Sequence, residues 1–162
     1  MSDTKLLCVN GSSIVNSNFD KYISNLVSNK TKFPEQLFEF ATNLERYELN
    51  HPKSLHDSWV TSLTIAENRN KQRPFDASLS ITLNLLGQKH DRDIVLTYNN
   101  VKYYELIGHE NEFNYNDTFH GDILTHEVSL ENELYKHILE LRSGSIFKVY
   151  FTEFKVTECV YT

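Results

Sequence analysis

The chain has 162 residues, of which 40% are hydrophobic and 12% aromatic, and its formal net charge is −6 at pH 7. This length predicts one domain, residues 1–162, with a core large enough to fold without a metal or a disulfide. The acidic balance excludes nucleic acid as an expected partner, because phosphate binding requires a clustered basic surface. The apolar run at residues 6–9 is too short for a signal-peptide core or a membrane span. We therefore expect a cytoplasmic protein without a membrane partner.

Two amphipathic helices are predicted in the N-terminal part of the chain, residues 1–50. Apolar residues recur at helical intervals from 17 to 27 and again from 34 to 46. Pro34 occupies a position typical of the first turn of a helix. Pro52 disfavours helical geometry at the residue before it and so ends the helical part.

From residue 55 to residue 162 the pattern changes to a period of two, which is typical of half-buried strands. The segments rich in β-branched and aromatic residues are 58–65, 77–85, 92–98, 101–107, 122–130, 134–141 and 145–161, the last with a break near residue 152. We therefore predict an α+β fold. Six to eight antiparallel strands would form a meander, and the two N-terminal helices would pack on it.

The longest irregular segment, residues 108–121, is rich in asparagine and in acidic residues. Loops of this length in compact domains are either functional or disordered. Tyrosine and acidic residues without nearby arginine describe a protein-binding surface better than a nucleic-acid platform. The predicted partner-binding residues are five in this segment and one in the strand before it: Glu110, Glu112, Phe113, Tyr115, Asp117 and Tyr103.

The densest group of histidines lies at residues 120–127. On an uninterrupted strand His120, Asp122 and His126 share one face, and a turn at residues 131–132 would place His126 opposite His137. These side chains could hold a metal ion. Apolar residues share the same face, however, and favour a hydrogen-bonded core histidine. We expect no metal and no cofactor, and if a metal is bound, His120, Asp122 and His126 are the predicted ligands.

Catalytic motifs are missing from the sequence. The dipeptide His126–Glu127 has no second histidine four residues later, so it is not the zinc-protease motif. The sequence has neither a Gly-x-Ser-x-Gly elbow nor a glycine-rich phosphate loop. We therefore expect a protein that is not an enzyme.

Two motifs carry a family resemblance. Residues 90–98 read His-Asp-Arg-Asp-Ile-Val-Leu-Thr-Tyr, with Val101 and Tyr104 after them, and residues 120–127 read His-Gly-Asp-Ile-Leu-Thr-His-Glu. With these motifs and a closing hydrophobic hairpin, residues 33–154 resemble a family of small, uncharacterised bacterial β-rich proteins. This resemblance implies no particular activity. In size, acidity and lack of catalytic motifs, the chain is also similar to bacterial immunity proteins, the cytoplasmic antidotes to interbacterial toxins.

These observations predict a non-enzymatic cytoplasmic binding protein, most concretely an immunity protein that occludes a basic toxin domain. One alternative is a structural or adaptor subunit that acts through an exposed strand edge or as a homodimer. Another is a carrier that holds a small ligand on a concave sheet. Gene neighbours and capture of the partner would discriminate these functions.

Overall fold

The computed structural model describes residues 14–114 and 116–162. Contacts divide the chain into two compact units, one that ends at Thr42 and one that spans Asn43–Thr162. No helix among the described residues combines the length and the hydropathy that a membrane span requires.

The first unit contains the two predicted helices. Helix α1 spans Ile14–Ser28 and helix α2 spans Glu35–Thr42, directly after Pro34. The two helices contact each other. Helix α2 is shorter than predicted, because Asn43 is extended and residues Leu44–Arg46 form a separate 3-10 turn. How the helices pack on the sheets stays a prediction.

The second unit contains eight strands, all paired antiparallel. They are β1 (Trp59–Arg69), β2 (Ala77–Leu86), β3 (Arg92–Asn99), β4 (Tyr103–Ile107), β5 (Ile123–Glu131), β6 (Leu134–Leu141), β7 (Ile146–Phe151) and β8 (Glu153–Val160). Every strand predicted between residues 55 and 162 is present, and the predicted break falls at residue 152, between β7 and β8. The α+β class and the antiparallel pairing are therefore confirmed.

The strands form two sheets rather than one continuous meander. The first sheet has the order β1-β2-β3-β8 and the second has the order β4-β7-β6-β5. The crossing from β3 to β4 is abrupt at Asn100, which has φ 49°. The amide of Val101 still donates to Leu79 of the first sheet, whereas the amide of Lys102 donates to Tyr150 of the second sheet.

The inner faces of the two sheets enclose the core of this unit. Tyr98 on β3 packs its ring 5.1 Å from that of Phe151 on β7. Around this contact the alternate residues of the central strands are buried: Ile81, Leu83, Leu85, Ile94, Leu96, Leu139, Leu141 and Val149. The strand orders place β1 and β8 at the edges of one sheet and β4 and β5 at the edges of the other.

Candidate functional site

Strand β4 forms one edge of the second sheet and pairs with β7. On an edge strand, every second residue turns its backbone N–H and C=O away from the neighbouring strand, which makes the edge a template for pairing. Three of its five residues, Tyr103, Tyr104 and Ile107, are exposed. We call residues 103–121, which comprise β4 and the loop after it, the β4–loop surface.

Contacts on the outer face of the sheet hold Tyr103 in place. Its ring meets that of Tyr150 edge-on, with the centroids 5.5 Å apart. Its hydroxyl donates to the carboxylate of Glu105, and this hydrogen bond raises the pKa of Tyr103. Glu105 in turn lies 3.3 Å from Nζ of Lys148. The predicted residue Tyr103 is therefore exposed and fixed in orientation.

Buried Ser145 pins both ends of the loop. Its Oγ accepts a hydrogen bond from the amide of His109 at 2.9 Å and lies 2.8 Å from Nδ1 of His120. Burial lowers the pKa of His120, which favours the neutral ring. Because one hydroxyl joins residues 109 and 120, the loop begins and ends at nearly the same point.

The buried side chain of Asn111 organises the interior of the loop. Its Nδ2 donates to Oδ2 of Asp117 at 3.1 Å, and its Oδ1 accepts from the amide of Phe113 at 3.2 Å. Asp117 also accepts from the amide of Thr118 at 2.7 Å. Of the predicted partner-binding residues, Asp117 is therefore part of the internal structure of the loop.

Three of the other four predicted partner-binding residues of the loop are exposed. Glu110, Glu112 and Phe113 are exposed, and the ring of Phe113 is 81% exposed. Tyr115 lies outside the described residues. The sequence prediction missed Phe119, which is exposed and packs its ring edge-on against His120. Its position in the same irregular segment as Phe113 and Tyr115, which had been chosen, was the available signal.

A polar cleft with a volume of about 530 Å³ opens beside this loop. Its lining comes from five separate parts of the second unit. The lining residues are Asn50, Asp57, Trp59, Gln88, Lys89, His90, Asn114, Asn116, Asp117 and Asp122. Sequence reasoning missed this cleft, because no local spacing connects residues that lie so far apart in the chain.

Two carboxyl groups in the cleft, those of Asp57 and Asp122, lie within hydrogen-bonding reach of each other. Backbone hydrogen bonds of 2.9 Å from Asp57 to Ile123 and from Ile123 to Ser58 hold the two segments together. Burial and the hydrogen bond to Asp122 raise the pKa of Asp57. Burial disfavours ionisation of Asp122, but hydrogen bonds from Arg142, at 3.0 and 3.2 Å, and from Asp57 outweigh it and lower the pKa of Asp122.

Three of the six residues other than glycine that have positive φ in the described part of the chain line the cleft. Asn50, Asp57 and His90 have φ values of 67°, 60° and 57°. Asparagine, aspartate and histidine are the residues other than glycine that tolerate this region best. Strained backbone of this kind persists where the surrounding structure fixes it, and it clusters at binding and catalytic sites.

His126 and His137 lie buried in the core and contact each other. Nδ1 of His126 is 3.2 Å from Nε2 of His137, and Nδ1 of His137 is 2.8 Å from the hydroxyl of Tyr98. The ring of His126 also stacks on Tyr47, with centroids 4.4 Å apart. Burial lowers the pKa of His126 to about 3 and lowers that of His137 well below its usual value.

Two features change the predicted geometry of this histidine pair. The turn between β5 and β6 lies at residues 132–133, so His126 pairs with Leu139 and His137 with Val128. The prediction that His126 sits opposite His137 is therefore wrong, and the two rings meet diagonally.

The predicted metal ligands have different partners. The register shifts between Ile123 and Thr125, so the alternation assumed from His120 to His126 is interrupted. His120 bonds to Ser145, Asp122 to Arg142 and His126 to His137. Among the residues that the structure describes, no group of three or more His, Cys, Asp or Glu side chains is arranged to hold a metal ion.

No family model matches the chain, and no curated protein matches it. The likeness to immunity proteins therefore stays a prediction. The function proposed below is inferred from the β4–loop surface.

Proposed function

We propose that this protein is a non-enzymatic binding protein of the bacterial cytoplasm that neutralises a toxin effector by occluding its basic active-site cleft. The observation that carries the proposal is the combination of exposed aromatic rings and unbalanced acidic charge on the β4–loop surface. The proposed partner is a basic protein domain, and no cofactor takes part.

The aromatic residues supply the apolar part of such an interface. Tyr103, Tyr104, Phe113 and Phe119 are all exposed between residues 103 and 119. Aromatic side chains are enriched at the centres of protein interfaces, where each buries a large area with little loss of side-chain entropy. A ring as exposed as that of Phe113 would gain most from burial in a pocket of a partner.

The charge of the surface favours a basic partner. Residues 102–121 contain four acids, at positions 105, 110, 112 and 117, against one lysine, Lys102. Glu105 and Asp117 have internal partners, whereas Glu110 and Glu112 are exposed. Complementary charge speeds the encounter with a partner more than it strengthens the final complex.

The shape of the loop favours tight binding. Ser145 joins its two ends and Asn111 fills its interior, so residues 110–113 are presented by an ordered frame. Ordering a loop on binding costs free energy, and a loop that is already ordered avoids most of that cost. Occlusion of a cleft by a preformed acidic loop needs no chemistry from the protein itself.

The exposed edge of β4 favours a second candidate, a homodimer or adaptor that pairs strand to strand. Edge pairing needs only the unpaired backbone groups of β4. The response to salt discriminates the two functions. Salt weakens attraction between an acidic surface and a basic partner, but it strengthens association of two identical acidic surfaces by screening their repulsion.

The test uses tagged full-length protein to capture a partner from the native lysate at low and high salt. The purified partner is then expressed in a sensitive host, and its toxicity is measured with and without this protein. Glu110→Lys/Glu112→Lys is expected to weaken both capture and protection.

The matched control is Glu48→Lys/Glu133→Lys, which reverses two exposed acids outside the β4–loop surface. Each reversal adds two charges, so both double variants change the formal net charge from −6 to −2. A partner that is not toxic, or equal losses in the two double variants, would contradict the proposal. Light scattering that shows a dimer favoured by salt would support the homodimer instead.

A further inference from the structure

The polar cleft has the size of a small-ligand site. Its volume of about 530 Å³ falls within the range of roughly 300–1,000 Å³ that is usual for ligand pockets. Neither the aromatic rings of β4 nor the exposed glutamates of the loop line it. A ligand in the cleft would therefore not need the exposed residues of the proposed protein interface.

An aromatic platform forms one part of the wall. The rings of Trp59 and His90 lie with centroids 4.8 Å apart, tilted by 38°. Trp59 is the single tryptophan of the chain, and it is partly exposed in an otherwise polar cleft. A flat apolar ring among polar groups matches a ligand with one face of C–H groups and a rim of hydroxyls.

The carboxyl groups of Asp57 and Asp122 already have partners. Arg142 binds Asp122 through two nitrogen atoms, and Asp57 shares a hydrogen bond with Asp122. Lys89 supplies a positive charge in the cleft that also contains Asp117. A cation would meet Asp57 and Asp122 already bonded to each other and, through Asp122, to Arg142. An anion would meet the three carboxyl groups of Asp57, Asp117 and Asp122, whereas a neutral ligand needs only donors and acceptors.

The lining of the cleft contains both donors and acceptors of hydrogen bonds. The carboxyl oxygens of Asp57 and the side-chain amide oxygens of Asn114 and Asn116 can accept hydrogen bonds, while the side-chain NH2 groups of the asparagines and Nζ of Lys89 can donate them. Adjacent hydroxyl groups of a sugar both donate and accept, so they suit such a lining. We propose that this cleft binds a neutral carbohydrate, with one face of the sugar ring on Trp59 and its hydroxyls on Asp57, Lys89 and Asn116.

The experiment is a titration of ¹⁵N-labelled full-length protein, followed by amide spectra. The probes are methyl glycosides of glucose, mannose and galactose, N-acetylglucosamine and maltose, each at millimolar concentration. Glucosamine and glucuronate serve as charged analogues. Because the chain has one tryptophan, its single indole N–H resonance reports on the cleft without ambiguity.

At least one neutral sugar is expected to shift the indole signal of Trp59 saturably. Lys89→Ala and Asn116→Ala, both at exposed positions, should each weaken its binding about tenfold, the factor that about 1.4 kcal/mol represents. Lys71→Ala, at an exposed position outside the cleft, should leave the binding unchanged.

Three results would overturn the proposal: no response to any neutral sugar, tighter binding of a charged analogue than of its neutral parent, or equal binding by the cleft variants and the wild type. None of these outcomes depends on Glu110 or Glu112. A failure here is therefore distinguishable from a failure of the proposed protein partner.

Discussion

The hydroxyl of Tyr98 on β3 lies 2.8 Å from Nδ1 of His137 on β6, so one buried hydrogen bond joins the two sheets. The backbone carbonyl of Arg46, 3.4 Å from Nε2 of His126, can only accept, which places a hydrogen on that nitrogen. His126 must then accept at Nδ1 from Nε2 of His137, and His137 must accept at Nδ1 from Tyr98. Each group in this chain of hydrogen bonds therefore donates to the next, from Tyr98 to His137, His126 and the carbonyl of Arg46, and both imidazole rings are neutral. We call this chain the histidine relay.

Tyr98→Phe should destabilise the protein by about 1–3 kcal/mol, because it leaves Nδ1 of His137 buried without its donor. Urea unfolding measures the free energy, with an unchanged denaturant slope as the sign that the fold is intact. Tyr103→Phe is the matched control, since its hydroxyl bonds to Glu105 at the exposed surface and its loss should change the free energy of unfolding much less. Equal effects of the two substitutions would refute the role given to the buried hydroxyl.

The histidine relay predicts a loss of stability in mild acid. Burial lowers the pKa of His126 from 6.5 to about 3, and that of His137 also lies well below 6.5. Above pH 6.5 both rings are neutral in the folded and the unfolded chain, so they add no pH dependence. Below pH 6.5 the unfolded chain binds protons that the folded chain excludes. The free energy of unfolding should therefore fall by about 1.4 kcal/mol per pH unit for each histidine.

Between pH 6.5 and pH 5 the histidines dominate the pH dependence of unfolding, because most carboxyl groups titrate at lower pH. His126→Gln cannot titrate, and its slope against pH should be shallower by about 1.4 kcal/mol per pH unit. His109→Gln, which replaces an exposed histidine, should keep the full slope. A wild-type stability that is flat across this range would show that the two buried rings accept protons without cost.

Local patterns were sufficient to predict the strands but not their division into two sheets. Alternating residues such as those of β2 indicate a strand with one buried face wherever the strand lies. The crossing at Asn100 depends on which strand receives the amides of Val101 and Lys102. Such a choice is made by contacts distant in sequence, which a periodicity does not contain.

The sequence prediction of the site likewise included residues of one loop and missed contacts between segments that are distant in sequence. Exposed acids and aromatic residues of one loop are visible in the sequence, and Glu110, Glu112 and Phe113 are indeed exposed. The pairing of Asp57 with Asp122 depends on backbone bonds between distant segments. The face of the sheet on which His126 lies depends on a register shift in β5, and no residue type in the sequence indicates that shift.

Removal of metal should leave thermal stability unchanged. Both ring nitrogens of His126 and of His137 are engaged in the buried relay, and His120 and Asp122 have other partners. Incubation with excess chelator is therefore expected to shift the melting temperature by less than the error of the measurement. A fall of several degrees, reversed by adding back zinc, would instead indicate a metal site that contributes to folding.

Charge reversal should act on the rate of association. Glu110 and Glu112 are exposed, so Glu110→Lys/Glu112→Lys should slow association with a basic partner and reduce its dependence on salt. Dissociation should change little, because rim charges act mainly on the encounter. Surface plasmon resonance at several salt concentrations separates the two rates. An association rate that responds to neither salt nor the reversals would remove electrostatic steering from the mechanism.

Loss of the most exposed ring of the loop should act on dissociation instead. If Phe113 enters a pocket of the partner, Phe113→Ala should raise the dissociation rate and weaken binding by about 2 kcal/mol or more. Phe75→Ala is the matched control, because that ring is 98% exposed and lies on the connection between β1 and β2, outside the β4–loop surface. Neither ring contributes to the core, so both variants should keep the unfolding free energy of the wild type. Faster dissociation of Phe75→Ala but not of Phe113→Ala would instead place the interface at the connection between β1 and β2.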